Sequence, residues 1–198
     1  MTGFATMKKL IAASLGLAML AACETPPPPS GFPQLSYAHL QPIELNVAEV
    51  KIISEYRSTG VAPNVEHLFP VKPRDAAERW SRERLKPAGR SGIARVTIRR
   101  ASVVEVPLAR SSGLRGVLTT DQAERYDGVI EIAIAILDGT GRQVGAVVSR
   151  AQRSKSVPED ISLYDREKIW FDMVEAMMND INVSLETQIK RHLRDSLR

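Results

Sequence analysis

Hydrophobic and polar positions along this chain repeat in two periods, and the switches between them lay out the elements. Ile43-Glu44-Leu45-Asn46-Val47 alternates with period two, the pattern of a strand buried on one face. The apolar phase then moves to Val50 and Ile52, which predicts one strand running to about Tyr56 with a bulge near Ala48 and Glu49. A loop with Gly60, Pro63 and Pro70 follows. Pro73 and Asp75 then open a helix, because proline suits the first turn and aspartate the positive end of the helix dipole. Ala76, Ala77, Trp80, Arg84 and Leu85 share one face of it, and Pro87 and Gly89 end it.

From Gly92 the period is two again. Ala94, Val96 and Ile98 point one way and Arg95, Thr97 and Arg99 the other, as in a sheet with one buried and one wet face. Strand character continues through Val103, Val104 and Val106 to Pro107. The stretch from Pro107 to Arg125, with Ser111-Ser112-Gly113 and Gly116, has few apolar anchors and reads as a long functional loop or as an extended hairpin. Tyr126 to Leu137 is the strongest strand. Ile130, Ile132, Ile134 and Ile136 fall on one face, and Glu131, Ala133 and Ala135 on the other. Asp138-Gly139-Thr140-Gly141 is a turn, and Val144 to Arg153 returns antiparallel.

The isoleucine face needs a cover. A helix starting near Ser162, with Asp165 three residues on as a capping box, supplies it. Trp170, Met173, Val174, Met177, Met178, Ile181, Leu185, Ile189 and Leu193 recur at three- and four-residue spacing. Asn179, Asn182 and Val183 weaken its middle and leave room for a kink there, and the basic end Lys190 to Arg198 is expected to fray. The fold class is therefore α+β: a two-layer sandwich whose mainly antiparallel sheet of about four strands is packed by a short helix and a long C-terminal helix.

Composition separates the front of the chain from this body. Lys8 and Lys9 precede an apolar run from Ile11 to Leu20, too short for a spanning helix, which needs about 20 residues. Leu20-Ala21-Ala22-Cys23 closes the run and holds the chain's single cysteine. A lone cysteine in an exported protein has no internal disulfide partner. Residues 24–31, Glu-Thr-Pro-Pro-Pro-Pro-Ser-Gly, then favour a stiff polyproline strut. The segment 7–23 resembles the signal peptide and lipobox of Gram-negative bacterial lipoproteins. The resemblance implies cleavage between Ala22 and Cys23 and acyl chains on Cys23. Glu24 in the second mature position implies the periplasmic face of the outer membrane, since aspartate there favours the inner membrane. Met1 and Met7 both remain candidate starts. The domains are then 1–22, a signal peptide, 23–36, lipidated cysteine and tether, and 37–198, one α+β domain.

Charge is uneven. Lys72 to Arg115 holds 12 lysines or arginines against four acids, and Glu159 to Asp180 seven acids against two bases. Two readings stand: the regions neutralise each other, or the basic one faces an anionic lipid or an acidic envelope protein. Arg95, Arg99, Arg100, Arg110 and Arg115 are the candidate anion- or partner-binding residues, because guanidinium forks bind phosphate and carboxylate bidentately. Nucleic acid is not expected as a partner of an exported chain. His39, His67 and His192 lack metal-ligand spacing, and no nucleophile elbow, Ser-x-x-Lys box, phosphate loop or dinucleotide fingerprint occurs. No metal, cofactor or catalytic residue is therefore assigned. Gln122-Ala123-Glu124-Arg125-Tyr126 and the order of elements are similar to the lipopolysaccharide-assembly lipoproteins and to auxiliary lipoproteins of lipid-transport ABC systems. That resemblance implies architecture and an accessory role in envelope lipid transport or assembly. The proline tether departs from the assembly lipoproteins, so no binding residues are carried over. The alternative is an envelope hydrolase, or a regulator of one, with a site dispersed in sequence.

Overall fold

A computed structural model describes residues 31–108 and 122–198. The compact unit runs Phe32–Arg198. Residues 32–36, assigned to the tether from sequence, belong to it. The strands are β1 (Ile43–Leu45), β2 (Glu49–Ser54), β3 (Leu85–Pro87), β4 (Ile93–Pro107), β5 (Gln122–Leu137) and β6 (Gln143–Pro158). The helices are α1 (Pro73–Arg84) and α2 (Leu163–His192), with short 3-10 turns at Glu66–Leu68 and Arg194–Ser196.

The main sheet has the order β2-β4-β5-β6. β4, β5 and β6 form an antiparallel meander, and β2 adds to β4 in parallel. β1 pairs in parallel with β3 as a separate ribbon. Both helices cover one face, so this is the expected α+β sandwich. The β4–β5 pairing extends to Pro107↔Glu124, which makes the Pro107–Arg125 stretch an extended hairpin at both its described ends.

Three local expectations change. The strand expected from Ile43 to Tyr56 is two strands in two sheets. Val47 N–H turns back to the Leu45 carbonyl, and Ala48 N–H bonds Gly92, so the chain leaves one ribbon to join the other sheet. α2 is one continuous 30-residue helix across Asn179–Val183. The C-terminus is tied down rather than frayed: Leu45 bridges Leu197, Asn46 N–H bonds the Ser196 carbonyl at 2.7 Å, and Arg198 N–H bonds Glu44.

The core lies between the sheet and α2. Ala94, Val96, Ile98 and the isoleucines 130 to 136 face Met173, Val174, Met177, Met178 and Ile181, all buried. The methionines fit because β5 is cut away beneath them. A Cβ at Gly128 would meet Met173 Cε, so glycine lets the methionine ends lie against the strand and any larger residue would make them shift. Ser162 caps α2, its hydroxyl accepting from Asp165 N–H at 3.1 Å.

Candidate functional site

Strand alternation places every second residue of the main sheet on the face opposite the helices, and there no described element covers them. This open face is built from Lys51 and Ile53 of β2, Glu55 just beyond it, and Arg95, Thr97 and Arg99 of β4. Register sets Lys51 beside Arg95 and Ile53 beside Thr97, then Thr97 beside Ala133 of β5. Ala133 and Ala135 stand next to Val148 and Ala146 of β6. Small side chains in the middle and long ones at the rim make a shallow trough of roughly 360 Å³ lined by Arg95, Thr97, Arg99, Ala133, Ala135 and Val148 among others.

Arg95 and Arg99 project from one strand four residues apart, so their stems stand about 13 Å apart. Arg95 is exposed and makes no ion pair among the described residues. Arg99 Nη1 lies 3.8 Å from Glu131, whose other oxygen lies 3.6 Å from Arg150 Nη1. One carboxylate thus serves two guanidiniums, and both are loosely held at partly exposed positions where such pairs contribute little. Farther along β5, Arg125 is occupied. It donates to Asp127 at 2.8 to 3.1 Å, and Ser154 Oγ donates to the same carboxylate at 2.6 Å. The Arg125 hydrogen bonds, followed by that of Ser154, hold the Asp127 carboxyl below its ordinary range. Available positive charge therefore gathers around Lys51, Arg95, Arg99 and Arg150.

A β-bulge explains the position of Arg100. Register shifts between Ile98 and Arg100, with Ile98 opposite Ile132 and Arg100 opposite Glu131. Without the extra residue, Arg100 would follow Ile98 into the core. With it, Arg99 and Arg100 are both exposed, and burial resumes at Ala101 and Val103. Arg95, Arg99 and Arg100 are thus brought to one region. Arg110 and Arg115 lie outside the described residues, as do Ala22 and Cys23. The acidic segment's Arg166, Asp172 and Asp180 pair with Glu124, Lys168 and Arg153, none of them in the 72–115 region.

A second cluster, not anticipated from sequence, surrounds Glu66. This carboxylate is 3% exposed. It accepts from Tyr56 Oη at 2.6 Å, Ser58 Oγ at 2.5 Å and Val103 N–H at 3.1 Å. Burial pushes its pKa up, but the hydrogen bonds from Ser58, Tyr56 and Val103 outweigh it and leave the group below its ordinary value. The neighbouring cavity is small, about 150 Å³, and both Glu66 oxygens are engaged, Oε2 also facing Asn64 Nδ2 at 3.5 Å. The cluster is a splint between the loop and β4. Among the described residues no group of three or more His, Cys, Asp or Glu side chains is arranged to hold a metal ion.

These observations define a class: an α+β sandwich with one sheet face sealed by helices and the other, among the described residues, open, shallow and basic. No protein-family model matches the chain, and no curated protein matches it. Among solved structures it is similar to rare lipoprotein B from Shewanella oneidensis, at 13% identity over 72% of this chain and 97% of that one, with a TM-score of 0.34. It is also similar to a Xanthomonas campestris protein of the DUF330 family, at 12% identity over 82% of this chain and 93% of that one, with a TM-score of 0.26. Both likenesses are too distant to carry a function to this chain.

Proposed function

We propose that this chain is a lipid-anchored envelope protein, attached to the outer membrane through acyl chains on Cys23, whose open sheet face docks an anionic component of the envelope. It acts as an accessory of lipid transport or assembly rather than as an enzyme. The observation that carries the docking role is the trough between Arg95 and Arg99. It offers fork-shaped donors at its rim, a floor of alanines that lets a ligand come close, and no covering element among the described residues. The shared ligand chemistry is phosphate or carboxylate, carried by a lipid headgroup or by an acidic protein.

The test is Arg95→Glu combined with Arg99→Glu. Both side chains are solvent-exposed and outside the core, so the variant is expected to fold with stability within about 0.5 kcal/mol of wild type. It is expected to make the envelope permeable and to lose binding. Loss of binding to vesicles of phosphorylated lipid identifies a headgroup, and loss of a crosslinked product from host membranes identifies a protein. Wild-type behaviour in all three assays removes the proposal. The anchor has its own test: Cys23→Ser is expected to abolish labelling by radioactive palmitate, and persistent label would refute lipidation at that residue.

A further inference from the structure

Exposed apolar side chains collect at one end of the described body. Seven large hydrophobic residues are exposed among the described residues, and four of them, Val61, Leu68, Leu163 and Tyr164, belong to this end. Leu163 and Tyr164 open α2 and are 70% and 66% exposed. The adjoining turn is pinned to the start of β5, with Arg166 lying 3.6 Å from Glu124. Glu124 in turn pairs with Pro107, the last residue of β4. Val61 precedes Pro63, whose carbonyl accepts from Glu105 N–H two residues short of that strand end. Leu68 adjoins Phe69, whose ring stacks on Trp170 in the second turn of α2 at 4.8 Å. Phe32 joins the cluster, stacking on Tyr164 at 5.7 Å and on Phe171 at 5.4 Å.

Phe32 is also where the chain leaves for Cys23. Eight residues, 24–31, lie between them. At about 3.1 Å per residue in a polyproline conformation they reach at most about 25 Å. An acyl-anchored Cys23 therefore holds Phe32, and the apolar end on which it stacks, within that distance of the bilayer. The two cations of this end are paired and the acids of the 159–180 segment leave it net negative, so apolar contact rather than attraction to anionic lipid would seat it. Arg166 and Lys168 are paired with Glu124 and Asp172, and Asp165 is engaged with Ser162. Aromatic rings with a polar tip, such as Tyr164, are favoured at the boundary between headgroups and acyl chains.

We infer that this end is a bilayer-docking surface. Phe32, Leu68, Leu163 and Tyr164 seat in the lipid interface and stand the sheet upright on the membrane. The inference rests on lipidation of Cys23. It adds a consequence for the basic trough: Arg95 lies 12 residues up β4 from Pro107, about 40 Å along the strand. The trough then faces a ligand in the periplasm, not the headgroups of the anchoring leaflet.

The experiment uses mature protein purified from host membranes and reconstituted into phosphatidylcholine vesicles with brominated acyl chains. A bimane label is placed by Leu163→Cys or, as reference, by Val183→Cys. Val183 is 66% exposed on the same helix, 20 residues and about 30 Å farther on. The expected result is several-fold stronger quenching and a blue-shifted emission at position 163, unchanged by salt. Adding Leu68→Glu and Tyr164→Glu is expected to abolish the quenching while the anchor keeps the protein on the vesicles and circular dichroism shows an intact fold. Protein that stays bound with weak, equal quenching at both positions overturns the docking surface alone. Protein that washes off with Cys23 open to the dye overturns the anchor and the docking surface together.

Discussion

At the scale of single residues, two side chains depend on chemistry that periodicity does not report. Arg100 stays out of the core because one extra residue enters β4 beside it. The strand's apolar pattern is legible on either side, as Ala94-Val96-Ile98 and as Ala101-Val103. The two sets are out of phase, and that mismatch was the available sign of a bulge. Glu66 gave no such sign, since a carboxylate before a histidine looks the same whether buried or free. Its role predicts a measurable pH dependence. The folded-state pKa lies below the ordinary 4.5, so its ionised form stabilises the fold fully above that value. The contribution fades as pH falls from about 4.5 through the folded pKa. Glu66→Gln keeps the size but puts an NH₂ group among donors. It is expected to cost about 2 kcal/mol at pH 7, the worth of a hydrogen bond to a charged group, and distinctly less at pH 3. Urea unfolding at the two pH values checks this, and an equal loss at both would contradict it.

At the scale of elements, the helices and the central hairpin were legible because each is long and strictly periodic. β3 was not, being three residues directly joined to α1 and paired only with β1. Asn182 shows how local propensity misleads. An asparagine in mid-helix suggests a weak point, yet here it fastens one helix to the other. Its Oδ1 accepts from Trp80 Nε1 at 2.9 Å and Arg84 Nε at 3.0 Å. Arg84, 2% exposed, also donates to Glu186 at 2.6 Å and to the Gln41 carbonyl. Periodicity placed Arg84 correctly on the buried face of α1, but its partners Asn182 and Glu186 lie 98 and 102 positions away, and Gln41 lies 43 away, so none was visible. Asn182→Leu removes an acceptor shared by two donors and leaves a buried indole N–H and part of a buried guanidinium unpaired. The expected loss is about 3 kcal/mol. Asn182→Asp retains both acceptor contacts and adds a charge facing Arg84, so it is expected to remain near wild type. Denaturant melts of the two variants separate a hydrogen-bonding role from a requirement for the amide.

At the scale of the whole molecule, the two ends of the body are held in different ways. Phe32 fixes the exit toward Cys23 at the start of α2 through ring stacking. The far end of α2 is closed by the C-terminal residues. Leu193 is buried, and a Cβ on Gly145 of β6 would lie 2.6 Å from its Cδ2. Beyond it, Ser196, Leu197 and Arg198 bond to Asn46, Leu45 and Glu44, so the last residues complete the ribbon that β1 and β3 begin. A run of charged residues at a terminus reads as solvated, because its stabilising contacts are backbone bonds that side-chain patterns do not encode. Deleting Leu193–Arg198 tests which description holds. Loss of one buried leucine alone costs about 2–5 kcal/mol, and the freed β1 edge adds to that. For a body of this size each kcal/mol is about 2–4 °C, so the melting temperature is expected to fall by roughly 10 °C. A frayed end would leave it unchanged. Because Asn46 N–H donates to the Ser196 carbonyl, protection of its amide from hydrogen exchange is expected to drop in the truncated protein, while Trp170 and Tyr126, at the Phe32 end, keep theirs.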